Sequence, residues 1–270
     1  MWQRWILGVA IILSLRPCLA GEAAKQEPRG WYILRWVEKP NPKGPSTQAA
    51  PADVVTFTRV LEYERSAGDA AFAALRPQLR EGDVVAYYLP ANEARKEILR
   101  GDINKIGYRL LKYGHLAIVV GVGGQAGELR LFSSQSFKGP NTAEGLATLR
   151  EHSFHVYRLD QSTRVEVGRL REFASLAHAR AGNWKGYDFT GMFGLWNSNL
   201  KPDRPKEIGH DYICSSVVAA ALYYAGVELD AARRGGIGDL VSPQQVVASK
   251  GRLIPAPTID LIAENTPAKP

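Results

Sequence analysis

Asp211-Tyr212-Ile213-Cys214-Ser215-Ser216, continued by Val217-Val218-Ala219-Ala220-Ala221-Leu222, is the stretch from which the rest of the chain is read. A polar residue able to cap a helix, then a cysteine, then about ten small or apolar helix formers, predicts a thiol in the first turn of a largely buried helix. Free N–H groups and the helix dipole at that end favour an anion. Cys214 is therefore expected to have its pKa lowered toward the thiolate, the nucleophilic form. A lone cysteine is more often inert packing than a nucleophile, so Cys214 needs a partner.

Tyr113-Gly114-His115-Leu116-Ala117-Ile118-Val119-Val120-Gly121 supplies one. A histidine opening a β-branched apolar run that glycines end reads as a strand with His115 at its mouth. Gly123-Gly124-Gln125-Ala126-Gly127 is a hairpin-type connection, so the following run, Glu128 to Gln135, is expected to return antiparallel. Alternation puts Leu131, Ser133 and Gln135 on one face and Arg130, Phe132 and Ser134 on the other, so a polar side chain of this strand can lie beside His115. A thiol and an imidazole distant in sequence but close in space are the pattern of nucleophilic catalysis.

Around this core, 270 residues with 45% hydrophobic and 23% charged content fit one globular domain with terminal additions. Residues 1–20 have a basic start at Arg4, an apolar run from Trp5 to Leu15 and a breaker and small residue at Pro17-Cys18-Leu19-Ala20, the pattern of a secretory signal. The run is short for a membrane span, which takes about 20 residues. Retention as an uncleaved anchor is the alternative. Cleavage after Ala20 would remove Arg4, Arg16 and Cys18, taking the formal charge from +7 to +5 and leaving Cys214 as the single thiol of an exported, periplasmic or extracellular protein. That thiol could form no internal disulfide. The positive charge is spread along the chain without a basic block interleaved with aromatics, so nucleic acid is not expected. Tolerance of anionic envelope polymers and peripheral contact with lipid are.

Residues 21–79 read as an N-terminal extension and linker: strand composition at Trp31–Val37, a Pro-rich break at 40–51, a short strand within Asp53 to Tyr63 and a short helix between Ser66 and Leu79. Residues 80–254 read as the main domain. A turn and strand at 80–89, a helix over 91–112 and a third strand over Phe154 to Leu159 are expected. A helix within 162–180 should bury Leu170, Phe173, Ala174 and Ala177, and a last helix over Pro243 to Ser249 should be capped by Ser242. Residues 255–270 read as an exposed tail.

Gly82-Asp83-Val84-Val85, Tyr113-Gly114-His115-Leu116-Ala117-Ile118-Val119, Gly186-Tyr187-Asp188-Phe189 and Tyr212-Ile213-Cys214-Ser215-Ser216-Val217-Val218, in that order, resemble the circularly permuted branch of the NlpC-type papain-like cysteine hydrolases, the YiiX/YebB-like group. In the ordinary branch the cysteine precedes the histidine. Here it follows by 99 positions, as in the permuted branch. The resemblance covers roughly residues 80–249. It implies an α+β, papain-like core, a small antiparallel sheet packed against the cysteine helix, with Cys214 as nucleophile and His115 as base.

Members of that group carry a third polar residue, frequently glutamate, on the strand after the histidine. This chain departs there: the matching position is Ser133, and Gln135 two residues on is the better orienter, because its amide can accept an imidazole N–H. The expected chemistry is attack of the Cys214 thiolate on an amide, ester or thioester carbon. The oxyanion would be held by the Cys214 N–H and by the Tyr187 hydroxyl, although Tyr187 is more simply a packing residue. Asp188 and Asp211 are most simply helix caps, and His210 is the second candidate base. His152, His155, His178 and His210 show no paired ligand spacing, so neither a metal nor a cofactor is expected. Cell-wall peptides and acylated lipids or lipoproteins are the expected substrates. Acyl transfer to an acceptor other than water, or a binding module that has lost activity, are the competing readings.

Overall fold

The computed structural model describes residues 53–100, 113–122, 127–135, 138–160, 162–181, 199–209, 212–233 and 241–255. The signal stretch, the Trp31–Val37 strand, the Pro-rich linker, Tyr187, Asp188, His210, Asp211, the second half of the 91–112 helix and the tail from 256 lie outside these residues.

The strands are β1 (Val54–Tyr63), β2 (Val84–Tyr88), β3 (His115–Val122), β4 (Glu128–Gln135), β5 (Gly139–Gly145), β6 (Ser153–Leu159), β7 (Val227–Leu229) and β8 (Lys250–Leu253). Among them run helices α1 (Gly68–Leu75), α2 (Ala91–Arg100), α3 (Val167–Arg180), α4 (Cys214–Tyr224), α5 (Asp230–Arg233) and α6 (Pro243–Ala248). The strands form one antiparallel sheet in the order β5-β4-β3-β2-β6-β1-β8-β7, which makes the fold α+β.

The sheet is larger than the sequence led us to expect. β1 belongs to the stretch read as an extension, yet it is an interior strand paired with β6 on one side and β8 on the other. β5, with the sequence Gly-Pro-Asn-Thr-Ala-Glu-Gly, has turn composition and is a strand because β4 offers it a free edge. Tertiary pairing overrides local preference there. Gly251 makes the β1–β8 contact possible, since a Cβ at that position would stand 2.9 Å from the Val55 side chain.

Alternation along the strands separates two cores. Leu116, Ile118, Val120 and Phe132 face the side on which α3 and α4 lie, with Leu170, Phe173, Val217, Val218 and Leu222. Ala117, Val119, Leu131, Val85 and Tyr87 face the other side, with Phe72 and Leu75 of α1 and Leu146 and Leu149 ahead of β6. Nearly all of α4 is buried, as its run of small and apolar residues dictates. Burying each of its larger side chains contributes about 1.5–3 kcal/mol. The expected burial of Leu170, Phe173, Ala174 and Ala177 on α3 and the capping of α6 by Ser242 are both found, Ser242 accepting the Gln245 N–H at 3.2 Å. Among the described residues no helix is long and apolar enough to cross a membrane.

Asp83 fixes the turn into β2, where Gly82 adopts a φ of 86°. Its carboxylate, 1% exposed, accepts Arg158 Nε at 2.7 Å, Arg158 NH2 at 2.8 Å and the Arg80 N–H at 2.8 Å. Removing one partner of such a pair strands the other, so Asp83→Ala is expected to lower unfolding free energy by about 3 kcal/mol. A denaturant titration checks this; a midpoint unchanged from the parent protein would refute it.

Candidate active site

α4 begins at Cys214, one residue after Ile213, whose backbone is extended (φ −86°, ψ 167°). Ile213 occupies the N-cap position, and Asp211, which the sequence suggested as a cap, lies outside the described residues. The turn is closed by Ser216 instead, whose Oγ accepts the Ile213 N–H at 2.9 Å and donates to the Ile213 carbonyl at 3.1 Å. Ser216 and the fully buried Ser215 are first-turn helix residues.

The start of the helix is stitched into the sheet. The pairing of β3 with β4 runs from Val122↔Glu128 to Ile118↔Phe132. One step further, the Leu116 N–H bonds the Cys214 sulfur and the Ser134 hydroxyl donates to the Tyr212 carbonyl. Residues 212–214 are thus tied to both strands at the point where the ladder ends. The sulfur lies at the mouth of β3, bonded to the amide of the residue next to His115.

His115 is half-buried, and alternation places it on the sheet face of Tyr87 and Ala117. Its ring packs on Tyr87 with centroids 5.4 Å apart, and His152 packs edge-on against the same tyrosine at 5.4 Å. On β4, Gln135 is the last residue, and Ser133 and Gln135 both lie past Ile118↔Phe132, the last pairing of β4 with β3. Gln135 Nε2 donates to Glu144 Oε1 of β5 at 2.5 Å. The Glu144 carboxylate also acts electrostatically on both Tyr87 and His152.

Sequence reasoning missed Glu144, Tyr87 and the neighbourhood of His152. Glu144 sits in a stretch without strand signal, and nothing in a linear chain indicates that it meets the end of β4.

Electrostatics depart from expectation at the thiol. Burial pushes Cys214 up to about 11, outweighing the N–H groups of Leu116, Ser215 and Cys214 that favour the thiolate. The helix N-terminus still favours the thiolate, but removing the charge from water costs more at a thiol only 6% exposed. Burial, then the neighbouring His152, holds His115 down to about 3. At neutral pH the site therefore rests as a neutral thiol and a neutral imidazole.

The approach to β3 is held separately. Tyr113, buried two residues before His115, shares a hydrogen bond of 2.8 Å with His155 Nδ1 and one of 2.5 Å with the Tyr157 hydroxyl. His155 Nε2 lies 3.1 Å from Glu62, its cross-strand partner on β1.

Among the described residues no group of histidine, cysteine and carboxylate side chains could hold a metal ion. The fold and this geometry define an α+β protein with a buried thiol where a helix begins, bonded to the backbone amide that follows a strand-end histidine. No protein-family model, curated protein or solved structure matches the chain.

Proposed function

We propose that the protein is an exported thiol hydrolase with a papain-like, circularly permuted core, cleaving amide or ester bonds of cell-envelope peptides or acylated lipids. The observation that carries the reading is the bond from the Leu116 N–H to the Cys214 sulfur, which brings the thiol to the strand end that His115 opens, while the His115 ring rests on Tyr87. Export rests on the signal-like pattern of residues 1–20.

With both groups neutral at rest, the thiol proton moves to His115 as the sulfur–carbon bond forms, rather than before. The oxyanion that develops is met by N–H groups of the first turn of α4. Collapse expels the amine or alcohol, which takes the proton from the imidazolium. Water, deprotonated by His115, then releases the acid and restores the thiol. Gln135 is the proposed orienter of His115, since its side-chain amide can accept an imidazole N–H.

The raised thiol favours a second reading, a binding module on the same fold with little activity. Two measurements separate them. Incubation with p-nitrophenyl acetate followed by intact-mass analysis should show a 1:1 acetyl adduct on Cys214 that decays in water. Iodoacetamide labelling across pH should show His115→Ala slowing alkylation below pH 9. Absence of the adduct, with alkylation indifferent to His115→Ala, would favour the binder.

A further inference from the structure

We infer that His152 is a positioning residue for the proposed reaction: it packs on the same Tyr87 ring as His115, and its charge decides whether His115 can hold the thiol proton. The inference deepens the thiol-hydrolase reading and rests on it. β2 runs between β3 and β6, and Tyr87 is paired with His115 on one side and with Phe154 on the other. His152 stands two residues before Phe154 in extended backbone and so shares its face of the sheet, with its own N–H held by the Leu149 carbonyl at 3.0 Å. Both imidazoles pack on the phenol ring, which is 5% exposed, His115 tilted and His152 edge-on, each with its centroid 5.4 Å from that of Tyr87. The two imidazoles are therefore no further apart than twice that distance.

At that separation two cations oppose one another by about one pKa unit in a medium of intermediate dielectric. Burial holds His152 below its ordinary value, opposed by Glu144 of β5 and by Glu151, and aided by Arg65, which is itself paired with Glu93 at 3.1 Å. His115, with burial and then His152 set against its cation, is held lower, at about 3. On acidification the first proton therefore goes to His152, at a pH between the ordinary histidine value and that of His115. From that point the thiol proton has to enter a ring that faces an existing cation, and attack slows. At neutral pH His152 is uncharged and offers no such opposition. The acid limb of the activity belongs to His152 rather than to the base itself.

The test is the rate of Cys214 acylation by p-nitrophenyl acetate in the full chain from pH 8 to pH 4. Imidazole 15N shifts are followed over the same range by long-range 1H–15N NMR, and folding by near-ultraviolet circular dichroism. In the parent protein the rate should fall about threefold to tenfold through an acid limb whose midpoint coincides with the titration of His152, and the His115 signals should move at the same pH. His152→Asn, neutral at every pH, should abolish the limb. Glu144→Gln, which withdraws a carboxylate that favours the His152 cation, should move it to lower pH. Retention of the limb in His152→Asn while the acetyl adduct still forms overturns the inference. Should that variant fail to fold, Glu144→Gln decides in its place, and a limb that stays at the parent pH there overturns the inference equally. Failure of the hydrolase reading would register differently, as no acetyl adduct in the parent protein at any pH while the His115 signals still follow the titration of His152.

Discussion

Cys214→Ala is expected to lower the rate of p-nitrophenyl ester turnover by about 10³-fold or more, equivalent to roughly 4 kcal/mol of transition-state stabilisation. Its thermal midpoint should fall only modestly, because closure of the first turn belongs to Ser216 while the Leu116 N–H loses the sulfur it bonds. His115→Ala should cost about as much in kcat as Cys214→Ala, and the double variant no more than either. Groups that act in one proton transfer are not additive. Rates in the two single variants that multiply in the double variant would mean that thiol and imidazole serve separate steps, and the paired mechanism would be abandoned. A retained rate in Cys214→Ala would remove the nucleophile altogether.

Acidification should destabilise the protein through His115. Its folded pKa lies at about 3 against an ordinary value of 6.5, because burial and His152 oppose the cation. Below pH 6.5 the unfolded chain takes up a proton that the folded chain refuses, so stability falls as pH drops and levels off only near pH 3. The full effect is up to about 4 kcal/mol at the conversion of 1.36 kcal/mol per pKa unit, discounted for the partial exposure of the ring. His152, also held low by burial, adds in the same direction. His115→Asn keeps a polar group of similar bulk and no longer titrates. Urea midpoints at pH 7, 5 and 4 should therefore fall more steeply in the parent than in His115→Asn, whose carboxylates are the same. Parallel slopes would show that His115 is not the group being titrated.

The two predictions differ in how much of them could be anticipated from the chain. That Cys214 starts a buried helix follows from the run Val217 to Leu222, in which no charged residue interrupts the small and apolar positions. That His115 starts a strand follows from the β-branched run behind it. Both elements are found where the residues put them. The sign of the thiol shift was not legible. A helix N-terminus argues for a lower pKa and burial for a higher one, and the sequence does not say how much water reaches the sulfur.

Gln135 shows the same division. Its face of β4 follows from alternation, but its partner does not, because Glu144 lies on a strand that has no strand-like composition of its own. β1 was legible as a strand and not as an interior one, since a strand's neighbours are set by the chain's path across the sheet.

Local preference in this sequence determined the elements that bear the candidate site: a helix opening on Cys214, a strand opening on His115, and the antiparallel return that carries Ser133 and Gln135. Those signals act over three to ten residues, which is the range of a helical turn or a strand's alternation. The order of eight strands, the wedge of residues 212–214 where β3 and β4 part, the meeting of Gln135 with Glu144 and the neutral resting state of thiol and imidazole were decided by tertiary structure alone. Each of these depends on which surfaces exclude water from which groups, a property of packed elements and not of any one segment.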